Sequence, residues 1–288
     1  MKKAFIILLI TFSSTIYSVE LNTYFLLDNF HFNSNNELKT TDFNFKYGEI
    51  VTQEISDDIF LDAGFTKSLI SDYSIFTDFR MVDDIFGFNL GIFTNFLNGS
   101  SKMLTPGINY GLDFIIPGFF IVNLDLNNTI PNTSPLETGV SINNYNIRMG
   151  FYLGETILSA NLVSQNNTKG SILTSTSTLT NRYFLNLDLF NKDTKYRISI
   201  DLGWNSLSRN TANLVTGTGT TTLTSEYAVQ KQAGSIYFNT NFTILTFDIV
   251  TIDLGVLLHL IKFPLKNIGT FDANAFFWGA NLGVVVNL

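Results

Sequence analysis

With 288 residues the chain can form one large all-β domain or two ordinary ones, and only 14% of it is charged, so Asn, Thr, Ser and Gly supply most of its polarity. A net charge of -7 and a pI near 4.8 leave no basic patch, which argues against nucleic acid as a partner. There is no cysteine, so neither a disulfide framework nor a lipidated cysteine holds or anchors it.

Met1 to Ser18 reads as a secretory signal. Lys2 and Lys3 form a positive start, Ala4 to Phe12 an apolar run, and Ser18 a small residue before a cut at Val19. That run is too short to cross roughly 30 Å of hydrocarbon as a helix. The expected mature product is a single domain over 19–288, with a formal charge of -9 (-7 less the two lysines). No later stretch is long and apolar enough to predict a helical span.

From Val19 onward the chain reads as strand after strand with a period of two, one face oily and the other polar. The first is weak: Tyr24, Leu26, Phe30 and Phe32 share a face that Asp28 interrupts. Phe43, Phe45 and Tyr47 mark the second, and Ile59, Leu61, Ala63 and Phe65 the third. The fourth carries Ile75, Thr77, Phe79 and Met81, the fifth Phe86, Phe88, Leu90 and Ile92. A two-residue turn at Asp83-Asp84 would set Phe79 opposite Phe88. Ile108 to Phe114 and Phe120 to Leu126 are the sixth and seventh, joined by Ile116-Pro117-Gly118 with Gly118 at positive φ. Tyr145 to Phe151 and Leu158 to Leu162 are the eighth and ninth. Tyr183 to Leu189 and Tyr196 to Leu202 make the clearest hairpin, turning at Asn191-Lys192-Asp193-Thr194 and placing Asp188 near Arg197. Ile236 to Phe242, Val250 to Leu260 and Phe276 to Leu288 complete a predicted set of fourteen. The first, second and twelfth are the weakest, so a count of twelve stays open.

The connections alternate in length. Those after the even-numbered strands are short, whereas Gln165 to Thr180 and Ser206 to Ser225 read as long polar loops. Short turns on one edge and long loops on the other predict a transmembrane antiparallel up-and-down β-barrel. A secreted β-sandwich is the competing reading, since it too would alternate. Against it stand an oily face almost free of Lys and Glu, and an aromatic girdle: Trp204, Trp278 and Tyr183 near the long-loop edge, Tyr24 and Tyr196 near the other.

The ending Asn281-Leu282-Gly283-Val284-Val285-Val286-Asn287-Leu288 resembles the C-terminal assembly signal of bacterial outer-membrane β-barrel proteins, through Asn281, Gly283, Val286 and Leu288. That class usually ends in Phe or Trp, from which Leu288 departs. The resemblance covers the whole mature chain and selects no subfamily. It implies outer-membrane lipid and the outer-membrane assembly machinery as partners, with the long loops on the cell surface. Nothing selects a monomer or a trimer.

The polar face then lines a lumen. Its charged residues are Asp62, Asp78, Arg80, Asp113, Asp125, Arg148, Arg182, Asp188, Arg197, Asp201 and Asp253, an acidic excess that predicts a porin-like channel for small hydrophilic solutes with a mild preference for cations. The bland alternative is that these charges pair across the lumen and serve as struts. Phe25, Leu27, Phe60, Phe76, Phe93, Phe184 and Phe190 are also expected inside, which keeps a hydrophobic-ligand transporter in view; the polar loops keep a surface adhesin in view. A channel of this kind leaves open that Gln165 to Thr180 or Ser206 to Ser225 folds inward and narrows the passage. The only histidines are His31 and His259, and His259 reads as a hydrogen-bonded structural residue inside the lumen. No Gly-x-Ser-x-Gly, metal-ligand cluster or phosphate-binding loop appears, so neither catalysis, a metal nor a cofactor is expected.

Overall fold

In the computed structural model the chain closes on itself as a barrel of fourteen antiparallel strands, in chain order all the way round. The structure describes residues 18–33, 37–68, 73–96, 104–130, 139–170, 174–190, 196–215, 224–246, 249–268, 272 and 274–288. The strands are β1 (Val19–Asp28), β2 (Asn44–Ser56), β3 (Ile59–Ser68), β4 (Tyr73–Val82), β5 (Phe86–Phe96), β6 (Leu104–Ile116), β7 (Phe120–Thr129), β8 (Gly139–Tyr152), β9 (Thr156–Gly170), β10 (Thr174–Phe190), β11 (Tyr196–Val215), β12 (Thr224–Thr246), β13 (Val250–Lys266) and β14 (Phe277–Asn287). The predicted fold class and the count of fourteen are the observed ones.

The register assigns every side chain to a face, because directly paired residues point the same way. On β4 and β5, Phe79 pairs with Leu90 and Thr77 with Ile92 on the outer wall, while Asp78 pairs with Gly91 and Arg80 with Asn89 on the inner one. The outer wall stays largely exposed: Leu90, Ile92, Leu112, Met149, Leu185 and Leu202 are each at least half uncovered. Water tolerates an apolar patch of only a few hundred Å² on a soluble protein, whereas hydrocarbon requires this surface and forbids an open sheet edge. Closure of β1 on β14 removes that edge, and lipid is the phase that the outer face fits. Among the described residues one strand carboxylate departs from the pattern: Glu49 faces outward on β2 and accepts a hydrogen bond from Tyr47 on the same face.

Strand heights are uneven. β1, β3, β4 and β7 have 10 residues each, about what a tilted strand needs to cross a bilayer. β11 has 20 and β12 has 23. At roughly 2.4 Å of height per tilted residue, the β11–β12 hairpin overtops the low strands by about 30 Å. Much of what reads in the sequence as the loops Gln165 to Thr180 and Ser206 to Ser225 is this wall: β9 runs to Gly170, β10 starts at Thr174, and β11 continues to Val215. Ser, Thr and Asn in these stretches give the sequence no oily alternation to read. Backbone pairing holds them, with additions such as Ser177 Oγ donating to Asn166 Oδ1 at 2.8 Å.

Three local expectations are corrected. β1 ends at Asp28, so Phe30 and Phe32 belong to the connection beyond it. Its faces are also inverted: Tyr24 and Leu26 pair with Gly283 and Asn281 inside, whereas Phe25 and Leu27 pair with Leu282 and Ala280 outside. Both parities of this strand are apolar, so alternation could not orient it; its neighbours do. Between β4 and β5 the turn is longer than two residues. Asp83 N–H donates to Phe86 O, its Oδ1 accepts from Asp84 N–H, and Phe79 lies opposite Leu90 rather than Phe88. At the β6–β7 turn Gly118 does adopt φ +75°, in a loop over Pro117 to Phe119. The expected turn at Asn191 to Thr194 lies outside the described residues.

Candidate functional site

All eleven charged residues expected in the lumen fall on the inner face by register. They do not form one ring. Every arginine among them meets a carboxylate: Arg80 and Asp62 at 3.2 Å, Arg148 and Asp188 at 3.7 Å, Arg182 and Asp28 at 3.6 Å, and Arg197 with Asp188 through two hydrogen bonds. The remaining carboxylates are held by amides and hydroxyls. Asp78 accepts from Asn109 at 2.9 Å, Asp113 from Asn123 at 2.7 Å, and Asp125 from Asn89 and Asn146. Asp201 accepts from Asn186 and Asn239, and Asp253 from Thr243. Ion pairing therefore describes Asp62 and Asp188, and hydrogen bonding by neutral side chains describes the other five. Asp78, Asp113 and Asp125 concentrate on the wall of β4, β6 and β7.

Glycines let this wall lie flat. A Cβ at Gly91 would come within 1.6 Å of the Asp78 carboxylate, one at Gly107 within 2.1 Å of the Phe93 ring, and one at Gly111 within 2.7 Å of both Asn89 and Asp125. Each long inner side chain is thus laid over a neighbour that has none. Phe60, Phe76, Phe93, Phe184 and Phe190 do face inward, Phe60 beneath the Arg80 guanidinium at 4.9 Å. Phe25 and Leu27 do not.

The opposite side of the lumen is filled from the mouth. After Asp28 the chain turns inward, and Phe30 stacks on His259 at 4.2 Å and meets Phe277 edge-on at 5.3 Å. Phe30, Phe32, Leu207, Ala233 and Phe277 form a buried apolar cluster. Polar pins surround it. Phe30 N–H donates to Asp28 Oδ1 at 2.9 Å, and Asn29 takes a hydrogen bond from Trp278 N–H at 2.6 Å while donating to Thr40 O at 2.9 Å. Arg209, on the tall wall, donates to the carbonyls of Phe32 and Asn33. His259 is bonded through Nδ1 to Ser235 Oγ at 2.7 Å, and its Nε2 faces Asp28 at 3.7 Å. Ser, His and Asp thus stand in a row, but Ser235 is wholly buried and Phe30 covers the imidazole. The histidine is hydrogen-bonded inside the lumen, as its sequence position suggested, and joins β12, β1 and the Phe30 ring.

Among the described residues, 29–33 enter the lumen; of the stretches nominated from sequence, 165–170, 174–180 and 206–215 are strand and most of the remainder lies outside the described residues. Sequence reasoning missed Asp28, Phe30 and Lys46, which pairs with Leu26 on the inner face. The available signal was Asp28 itself, a charge that breaks an apolar run where a strand should end.

The aromatic candidates Trp204, Trp278, Tyr183 and Tyr196 lie on the outer face by register. Trp204 packs against Phe263 and Trp278 against Phe43, both at 5.5 Å. Tyr24 leaves the predicted girdle: it points inward over Gly48. At the C-terminus, Asn281 and Gly283 face inward and Val286 outward, and Leu288 exchanges backbone hydrogen bonds with Val19.

Against solved structures the barrel aligns over nearly its whole length. A bacterial polysaccharide outer membrane secretin is similar at a TM-score of 0.54 with 9% identity, covering 94% of this chain and 98% of that one. OmpT of Vibrio cholerae lacking its loop L8 gives 0.44 with 7% identity, at 94% and 98% coverage. An anion-selective porin from Comamonas acidovorans gives 0.42 with 10% identity, also at 94% and 98%. No family model matches the sequence, and no curated protein matches it either. The likeness is one of fold alone: the chain shares its closed antiparallel barrel with the outer membrane secretin.

Proposed function

We propose that this barrel is an outer-membrane channel through which small hydrophilic solutes diffuse, with cations preferred. Eight strands are filled by side chains and sixteen leave an aqueous channel, and fourteen stand between. The observation that carries the reading is the asymmetry of charge pairing inside. The four arginines predicted for the lumen all meet a carboxylate, Arg148 and Arg197 sharing Asp188, while Asp78, Asp113 and Asp125 are held by asparagine amides and keep their field. A lumen potential of about one kT would shift the cation-to-anion ratio inside by about sevenfold. In this reading the outer wall meets lipid, the last strand guides insertion by the assembly machinery, and the long loops face the cell exterior.

Reversal potentials across a planar bilayer under a salt gradient test it. Cation selectivity is expected, and the triple variant Asp78→Asn, Asp113→Asn, Asp125→Asn should lose most of it. A barrel that inserts but passes no current, or that prefers anions, refutes the reading.

A further inference from the structure

We infer that Asp28 is the positioning residue for a plug made from residues 29–33, just past β1, and that its contact with Arg182 sets the largest solute the barrel admits. This deepens the channel reading and rests on it.

The geometry points to a keystone rather than a passive lining. Asp28 is the last residue of β1 and Arg182 belongs to β10, five strands round the barrel, yet the guanidinium lies 3.6 Å from the carboxylate. A contact between strands that far apart can only run through the lumen. The same carboxylate accepts the Phe30 N–H at 2.9 Å and faces His259 Nε2 at 3.7 Å. One group therefore bends the chain inward just past β1, aims the Phe30 ring onto the imidazole, and ties the bend to the far wall. An aspartate that hydrogen-bonds the amide two residues on is a local turn device; here the turn points into the barrel instead of out to solvent.

The residues that receive the segment are prepared for it. Leu207 and Ala233 pair with each other on the inner face of β11 and β12, and both are buried in one cluster with Phe30 and Phe32. Asn205 lies beside Arg182 on the neighbouring strand, almost fully buried, with its Oδ1 unpartnered. The seat exists only because β11 and β12 stand taller than β1 and β14, so that a segment leaving the low rim finds a wall to lean on. Apolar burial supplies the holding force, and Asp28 supplies the direction. Without the carboxylate the turn loses its tie to Arg182 on the far wall, and the side of the lumen between β1 and β10 becomes open to water.

The test uses the full barrel in liposomes and planar bilayers, with uncharged oligosaccharides of graded size, so that removing a charge cannot itself change the cut-off. Asp28→Asn and Arg182→Leu should each raise the size limit and roughly double single-channel conductance, because the cross-section then approaches that of an unobstructed fourteen-stranded cylinder. Arg182→Lys should stay close to the parent. The chain has no cysteine, so Phe32→Cys with Leu207→Cys in the Asp28→Asn background provides a lock: oxidation should restore the small cut-off and reduction should release it. Heat-dependent gel mobility shows which variants have closed barrels, and if Asp28→Asn fails to close, the Arg182→Leu and Arg182→Lys pair carries the test from the far side. A conducting parent whose cut-off is unchanged in Arg182→Leu overturns the inference and leaves the channel reading standing. Silence of parent and variants alike overturns the channel reading, and this inference falls with it. A silent parent with conducting variants overturns the size-setting role, since the segment would then close the barrel rather than gauge it.

Discussion

Arg148 on β8 and Arg197 on β11 share one carboxylate, Asp188 on β10, so a single buried side chain ties three strands together. Two guanidiniums lose their counter-ion if it goes. Removing one partner of a buried pair is far more damaging than never having built it, although lumen water will screen Arg197, which is half exposed. Asp188→Ala should therefore cost about 2–3 kcal/mol in urea unfolding of the refolded barrel. A loss of a few tenths would mean that the pairing is ornamental.

The outer wall gives a sharper distinction between lipid and water. Ile92 is 69% exposed near the middle of β5. Ile92→Arg should cost about 2–4 kcal/mol for a barrel in a bilayer and cut insertion severely. On a soluble sandwich the same change would be neutral or would improve solubility. Yield of membrane-inserted protein distinguishes the two.

Flatness of the acidic wall is open to test at one glycine. All three of the nearest atoms that a Cβ at Gly107 would meet belong to the Phe93 ring. Gly107→Ala should lift that ring into the passage, lower conductance by tens of percent, and cost about 1–3 kcal/mol from overpacking. Adding Phe93→Ala should return the conductance to at least the parent value. If Gly107→Ala conducts as the parent does, the ring has another place to go.

Deleting Val286 to Leu288 removes the outermost pairs of the seam, including Leu21 with Val286 and the reciprocal bonds between Val19 and Leu288. The truncated chain should fail to give the heat-sensitive fast-migrating band of a closed barrel. Normal levels of that band would separate the C-terminus from closure.

The period of two was enough to orient β3 to β14, because there one parity is oily and the other carries Asp, Asn and Gly. It could not orient β1, where Leu21, Phe25 and Leu27 compete with Tyr24 and Leu26; the register with β14 decides. Strand length was legible only within the bilayer. Above it, Thr176 and Arg209 look like loop residues although both are paired in the sheet. The lumenal charges were legible as a set, but not who pairs with whom, since Arg182 chooses a partner five strands away. Nor could Phe30 and Phe32 be told from strand residues: they are apolar at the right spacing, and only the wall they lean on gives them a different use.

The seam carries a consequence for how the molecule comes into being. β1 is bonded to β14 along nine residue pairs, from Glu20 with Asn287 to Asp28 with Gly279. The first strand of the sheet to be synthesised has the last one as its neighbour. Until β14 has left the ribosome and reached the membrane, the sheet has two raw edges, each a template for another chain. Contacts between strands so distant in sequence are also the slowest to form. This protein is therefore most exposed to aggregation just before β14 arrives, and its survival in transit depends on being kept unpaired until the whole sheet can curl shut at once.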